Sequence, residues 1–172
     1  MISRSLYRFA LAGLVTPGWL LIFSAASGAE PLSDTTQVET FVKKLYSPRS
    51  TTKLKQYADP PLAALIDEDA RLTPKGDEGA LDFDPFCNCQ DDTGLQVQVV
   101  VRSVTPKAAT VDANLTFSGN TDHRRDKITY HLVNLDGAWR IHDMSSKDVK
   151  SLTQLFVTSN AQMVRGGCPD RC

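Results

Sequence analysis

Few residues in this chain have the types and spacing that do chemistry. Four cysteines fall in two close pairs, Cys87-x-Cys89 and Cys168-x-x-x-Cys172. Four thiols could hold zinc, but structural zinc ligands lie two to four residues apart, and the first pair is tighter than that. A thioredoxin-like redox role needs Cys-x-x-Cys at a helix start, which is missing. Asp84, Gln90 and Asp91 flank the first pair and are the candidate binding residues. Their side-chain oxygens suit a hard cation such as calcium, although the spacing is that of no EF-hand. The competing reading is structural: Asp84 before Pro85 organises a turn, and Gln90-Asp91 caps nearby backbone groups.

Acid–base chemistry would need a histidine or aspartate projecting into an apolar cavity, where desolvation shifts its pKa. His131, Asp112 and Asp143 lie in strand-like segments and are the residues available, with His131 and Asp143 the catalytic candidates. The simpler reading of each is a polar residue on a half-exposed sheet face. No Gly-x-Ser-x-Gly context occurs, and no histidine has an obvious catalytic partner. Gly-x-x-x-x-Gly-Lys and Gly-x-Gly-x-x-Gly are absent. No cofactor is therefore expected. Asn114-Leu115-Thr116 is a glycosylation sequon, but its place in a strand makes chance the better explanation.

The chain has 172 residues, enough for one ordinary domain. Hydrophobic residues make up 41% and charged residues 23%, which are globular values. With 19 basic and 20 acidic residues the formal charge is -1, so no basic excess points to nucleic acid. The charge is uneven. From Asp67 to Asp92, nine acids face only Arg71 and Lys75.

Met1 to Ala29 reads as a secretory signal. Arg4 and Arg8 supply a positive start, Phe9 to Phe23 is largely apolar, and Ser27-Gly28-Ala29 fits the small-x-small cleavage rule. The apolar run is short for a membrane span and is broken by Pro17-Gly18. No cysteine follows it before Cys87, and there is no twin arginine. Cleavage before Glu30 and a periplasmic or secreted location, with no remaining membrane anchor, are the expectation. The mature chain, residues 30–172, is read as a single domain.

The elements that must position these residues follow from periodicity. Thr36-x-x-Glu39 is a capping box, and Val38, Phe41, Val42, Leu45 and Tyr46 share one helical face. Ser47-Pro48 stops that helix. A short second helix holds Leu54 and Tyr57. Asp59 caps a third, with Pro60 and Pro61 in its first turn and Leu62, Leu65 and Ile66 on its apolar face. Pro74 to Thr93 is a long loop. From Leu95 the period changes to two. Four strands follow, carrying Leu95 to Val101, Val111 to Phe117, Ile128 to Leu132, and Trp139 with Ile141. Asp136-Gly137 is a hairpin signal. Ser145-x-x-Asp148 is read as the cap of a last helix bearing Val149, Leu152, Leu155 and Phe156. Val38, Phe41, Leu45, Val97, Val99, Val111, Leu115, Trp139, Ile141, Leu152 and Phe156 form the expected core.

Helices before an antiparallel meander make the fold α+β. The element order resembles the cone-shaped fold of nuclear transport factor two and ketosteroid isomerase, the cystatin-like class. Within it, Val38 to Tyr46, the segment from Asp84-Pro85 to Gln90-Asp91, and Asp136-Gly137-Ala138-Trp139-Arg140-Ile141 resemble an exported bacterial family, domain of unknown function 3828. That resemblance implies a fold and a compartment. It implies no reaction, since the family has no assigned activity.

Oxidising surroundings favour disulfides over thiolates, and four cysteines allow three connectivities. A bridge between Cys87 and Cys89 closes a tiny ring, worth about 1.5 kcal/mol in the chain-entropy view, and an extended chain does not bring those side chains together. A first bridge from loop to tail is worth about 4.5 kcal/mol. The expectation is therefore that Cys87 and Cys89 pair with Cys168 and Cys172. Functionally, the sequence points to a non-catalytic envelope protein that binds a small ligand or a protein partner. The alternatives are a pocket acid/base enzyme of the isomerase or dehydratase type, and an inhibitor or immunity protein against an envelope-directed toxin or wall hydrolase.

Overall fold

Three apolar residues spaced by four and three, Val38, Val42 and Leu45, make one buried stripe on the first helix, α1 (Asp34–Leu45). Asp34 sits in its first turn and Lys43 and Lys44 in its last, both complementing the helix dipole. The computed structural model describes residues 34–47, 54–118 and 124–166. A single turn, α2 (Leu54–Tyr57), leads into α3 (Pro60–Leu72). Asp59 caps α3: its Oδ1 accepts the Leu62 N–H at 2.9 Å, and prolines occupy positions where the missing N–H has no partner to lose.

The sheet is a four-stranded antiparallel meander in the order β1-β2-β3-β4: β1 (Leu95–Val104), β2 (Ala108–Phe117), β3 (Arg125–Leu135) and β4 (Ala138–Ser145). The last hairpin turns on Asp136 (φ 52°) and Gly137 (φ 86°), two left-handed residues whose twist suits a two-residue loop. The register opposes Val111 to Tyr130, Ala113 to Ile128 and Tyr130 to Met144. All of these are buried, so one face of the sheet is a continuous apolar surface. Gln96, Gln98 and Lys127 alternate outward and are exposed.

Helices cover the apolar face. Val38, Val42, Leu45 and Leu62 come from the helices, and Leu115, Ile128, Leu132 and Ile141 from the strands; all are at most 1% exposed. Helix α4 (Leu152–Arg165) packs against α3 and β4 and adds Leu152 and Phe156. Phe41, Val97 and Val99, expected within the core, are only partly buried and pack against its edge. Val97 borders a cavity described below, and the Phe41 ring rests edge-on against Tyr57 at 6.2 Å. Among the described residues no helix is long and apolar enough to cross a membrane.

The last helix departs from the expected cap. Ser145 ends β4, and Ser151 caps α4 by accepting the Gln154 N–H at 3.0 Å. The intervening Ser146 hydroxyl instead accepts the Asp148 and Val149 N–H groups, at 3.2 and 3.1 Å, and turns the chain. Two serines six residues apart compete as the cap, and the pairing of Ser145 within the sheet decides for Ser151.

Trp139 is 5% exposed within this core. Trp139→Ala should cost about 3 to 5 kcal/mol in urea unfolding. A loss below about 1 kcal/mol would contradict its place in the packing.

Candidate functional site

The segment 84–89 is a closed turn. The Asp84 N–H donates to the Cys89 carbonyl at 2.8 Å, and the Cys87 N–H returns to the Asp84 carbonyl at 3.3 Å. Asp84 Oδ1 accepts the Phe86 N–H at 2.8 Å across Pro85, the Asx turn that aspartate before proline favours. Asn88 then takes φ 51°, a left-handed conformation that asparagine tolerates better than most residues. This reversal brings the Cα atoms of Cys87 and Cys89 within 5.1 Å, and the two form a disulfide. The expected loop-to-tail pairing is thereby corrected. It assumed an extended chain at Asn88, and the left-handed residue removes that assumption. Cys168 and Cys172 lie outside the described residues.

The turn is fastened to the sheet. Asn88 Nδ2 donates to Asp126 Oδ2 at 3.2 Å and to Asp148 Oδ2 at 2.6 Å. Arg124 donates to the Asn88 carbonyl and to Asp126 while lying over the Phe117 ring. Burial raises the Asp126 pKa, but Asn88, the Lys127 N–H, Arg124 and Lys147 outweigh it and hold the carboxyl below its usual range. Upstream, the buried Asp69 of α3 accepts the Ala80 N–H at 3.0 Å and pins the start of the loop. A Cβ on Gly79 would collide with that carboxylate, so glycine is needed for the approach.

Between the end of α1, this turn and the start of β1 lies a cavity of about 330 Å³. Leu45, Phe86, Leu95 and Val97 form its apolar wall. Tyr46, Asp84 and Asp92 supply its polar groups, and Cys87 of the disulfide also borders it. The Tyr46 hydroxyl meets the Tyr130 hydroxyl at 2.7 Å, with the rings edge-to-face. Tyr130 is wholly buried. Burial raises both phenol pKa values, and the charge of Asp84 raises them further. Both hydroxyls therefore keep their protons at any physiological pH. Asp84 is itself pushed above the ordinary carboxylate value, first by burial and also by the charge of Asp92, with the Phe86 N–H opposing.

Of the candidate binding residues, Asp84 alone lines this cavity. Gln90 is exposed, and its Nε2 donates to the Asp82 carbonyl at 3.4 Å. Asp91 is exposed, and its Oδ1 accepts both the N–H and the hydroxyl of Thr93, which lower its pKa. Gln90 lines a separate hollow with Asp82 and Asp84, and Asp91 holds the local backbone at Thr93. Among the described residues no group of three His, Cys, Asp or Glu could hold a metal ion.

The two catalytic candidates stand elsewhere. His131 is exposed, opposite Asp143 in the register. Asp143 Oδ1 accepts the Thr153 N–H at 2.9 Å and so anchors the first turn of α4. Neither borders the cavity. Asp112 is buried beneath Arg102 (2.7 Å) and also accepts the Thr129 hydroxyl at 2.9 Å. Burial raises its pKa, but Arg102, Thr129 and Lys127 together outweigh this and lower it.

Tyr46, Tyr130 and Asp92 were not expected as site residues. Tyr46 reads as the end of a core stripe and Tyr130 as an inward strand position. Nothing in local spacing links two residues 84 apart.

The opposite shifts of Asp84 and Asp112 give opposite pH behaviour. Asp84 binds its proton more tightly folded than unfolded. That stabilisation is complete below the unfolded pKa and disappears as pH rises through the folded one, so ionised Asp84 opposes folding at neutral pH. Asp84→Asn keeps the acceptor for Phe86 and should melt at or above the parent temperature at pH 7, the difference closing toward pH 3. Asp112→Asn should destabilise at pH 7, its deficit shrinking as pH falls through the lowered pKa. A loss above about 1 kcal/mol in Asp84→Asn would make that carboxylate a structural group. The chain matches no protein-family model, and no curated protein matches it closely enough to count as a relative.

Proposed function

We propose that this protein binds a small molecule in the cavity beside the disulfide turn and does no chemistry on it. The observation that carries the reading is the cavity itself, which joins an apolar wall to a few convergent polar groups on a turn tied to the sheet. Such concave sites are the usual seats of small ligands. The non-catalytic part rests on the placement of His131 and Asp143, which lie away from the cavity; Asp84, with its pKa raised by burial, is the group there that the pocket acid/base alternative would use.

A soluble fragment library read by ligand-observed NMR tests this. Fragments should bind the parent and lose about tenfold or more in affinity on Val97→Trp, which fills the cavity, while the outward Gln98→Trp leaves binding unchanged. Absence of any binder, or binding indifferent to a folded Val97→Trp, would refute the site.

Export belongs to the same proposal, as does kinship with the family of domain of unknown function 3828 and its nuclear-transport-factor-two-like cone. Three helices ahead of a four-stranded meander support that finer fold, and an experimental structure with a flat, uncurved sheet would remove it. The Cys87–Cys89 disulfide fits an oxidising compartment. Non-reducing peptide mapping of protein from its native cells should find an N-terminus at Glu30 and a bridged 87–89 peptide. Material beginning at Met1 with alkylatable Cys87 and Cys89 would overturn the location.

A further inference from the structure

The polarity of the tyrosine pair follows from hydrogen-bond accounting. Tyr130 is 0% exposed, and among the described residues its hydroxyl has one partner, the hydroxyl of Tyr46. A buried hydroxyl that donated to nothing would leave its hydrogen unsatisfied, at a cost of about 1 to 3 kcal/mol. Tyr130 is therefore the donor and Tyr46 the acceptor. The hydrogen of Tyr46 is left over, and Tyr46 borders the cavity. Accepting one bond while offering another strengthens the one offered.

Asp84 supplies the complementary group. Its Oδ1 holds the Phe86 N–H, and among the described residues its Oδ2 has no hydrogen-bond partner. The buried carboxylates Asp112 and Asp126 each carry an arginine, at 2.7 and 3.2 Å. Asp84 carries no cation, and no lysine or arginine lines the cavity among the described residues. Asp92 adds a second negative group at the same cavity.

We propose that the cavity recognises a small protonated amine with an apolar body and a nearby hydrogen-bond acceptor. The ammonium meets Asp84 Oδ2 with Asp92 close by, the acceptor takes the Tyr46 hydrogen, and the apolar body lies against Leu45, Phe86, Leu95 and Val97. An anion would face two carboxylates with no countercharge among the described residues, and is disfavoured. This inference rests on the cavity being the binding site.

Four probes of similar shape test it by calorimetry at pH 7: 2-amino-1-phenylethanol, 2-phenylethylamine, 2-phenylethanol and 3-phenylpropionate. The amino alcohol should bind about tenfold or more tightly than the neutral alcohol, and the anion should not bind. Asp84→Asn, whose melting curve reports its folding separately, should abolish the preference for the amine and leave the neutral alcohol unchanged. Tyr46→Phe should weaken the amino alcohol but not 2-phenylethylamine, which lacks the acceptor. Equal binding of neutral and charged probes, or binding of the anion, overturns the amine class; if Val97→Trp still blocks those probes, the cavity reading survives. No binding by either amine overturns the class as well, and a failed fragment screen would then remove the cavity reading with it.

Discussion

The hydrogen bond from the Phe86 N–H to the Asp84 carboxylate closes the turn on which the cavity depends. With that bond made, Pro85 and Phe86 are directed back toward the sheet, and the left-handed Asn88 brings Cys89 under Cys87. The disulfide keeps the reversal. The side chain of Asn88 then transfers it to the sheet and to the segment before α4 through Asp126 and Asp148. Phe86 is buried as a result, at 2% exposure, and becomes part of the cavity wall. A long acidic loop would otherwise be a poor wall, because a chain with few apolar residues has little to offset its conformational entropy.

Carboxylates are used in two ways. Asp112 and Asp126 are buried with cations and hydrogen-bond donors around them, and their pKa values fall despite burial. Asp59 and Asp69 hold backbone N–H groups and fix the two ends of the α3 region. Asp84 is half-buried and, among the described residues, has one oxygen engaged and no cation beside it, and its pKa rises. A group held at the expense of folding, in a cavity wall, is what a binding site of the kind proposed would carry. The tyrosine pair beside it joins Tyr46 at the cavity to the buried Tyr130 by a 2.7 Å hydrogen bond.

The helical layer is tied to the sheet away from the cavity. Ala58 bridges Ile141, the Asp59 N–H donates to the Ile141 carbonyl at 2.8 Å, and the other Asp59 oxygen meets His142 at 2.7 Å. These contacts set α3 against β4, while α1 covers β1 and β2. The cavity lies where α1 ends, at Leu45 and Tyr46, before any following element covers the start of β1 among the described residues.

Much of this architecture was legible in the chain because it is local. The apolar stripe of α1, the Asp59 cap with its two prolines, the alternation of β2 and the Asp136-Gly137 turn each depend on residues within a few positions of one another, so periodicity and turn chemistry suffice. The acidic segment also declared itself, and Asp84 was singled out with the correct turn. Where two local signals competed, as at Ser145 and Ser151, the answer came from sheet pairing. The Cys87–Cys89 bridge hung on one backbone angle at Asn88, which composition does not reveal. The site was decided by tertiary structure alone. Tyr46 and Tyr130 meet across 84 residues, and the emptiness between Val97, Phe86 and Leu45 exists only once a helix, a turn and a strand have packed, because a cavity is a property of distances that no run of neighbouring residues encodes.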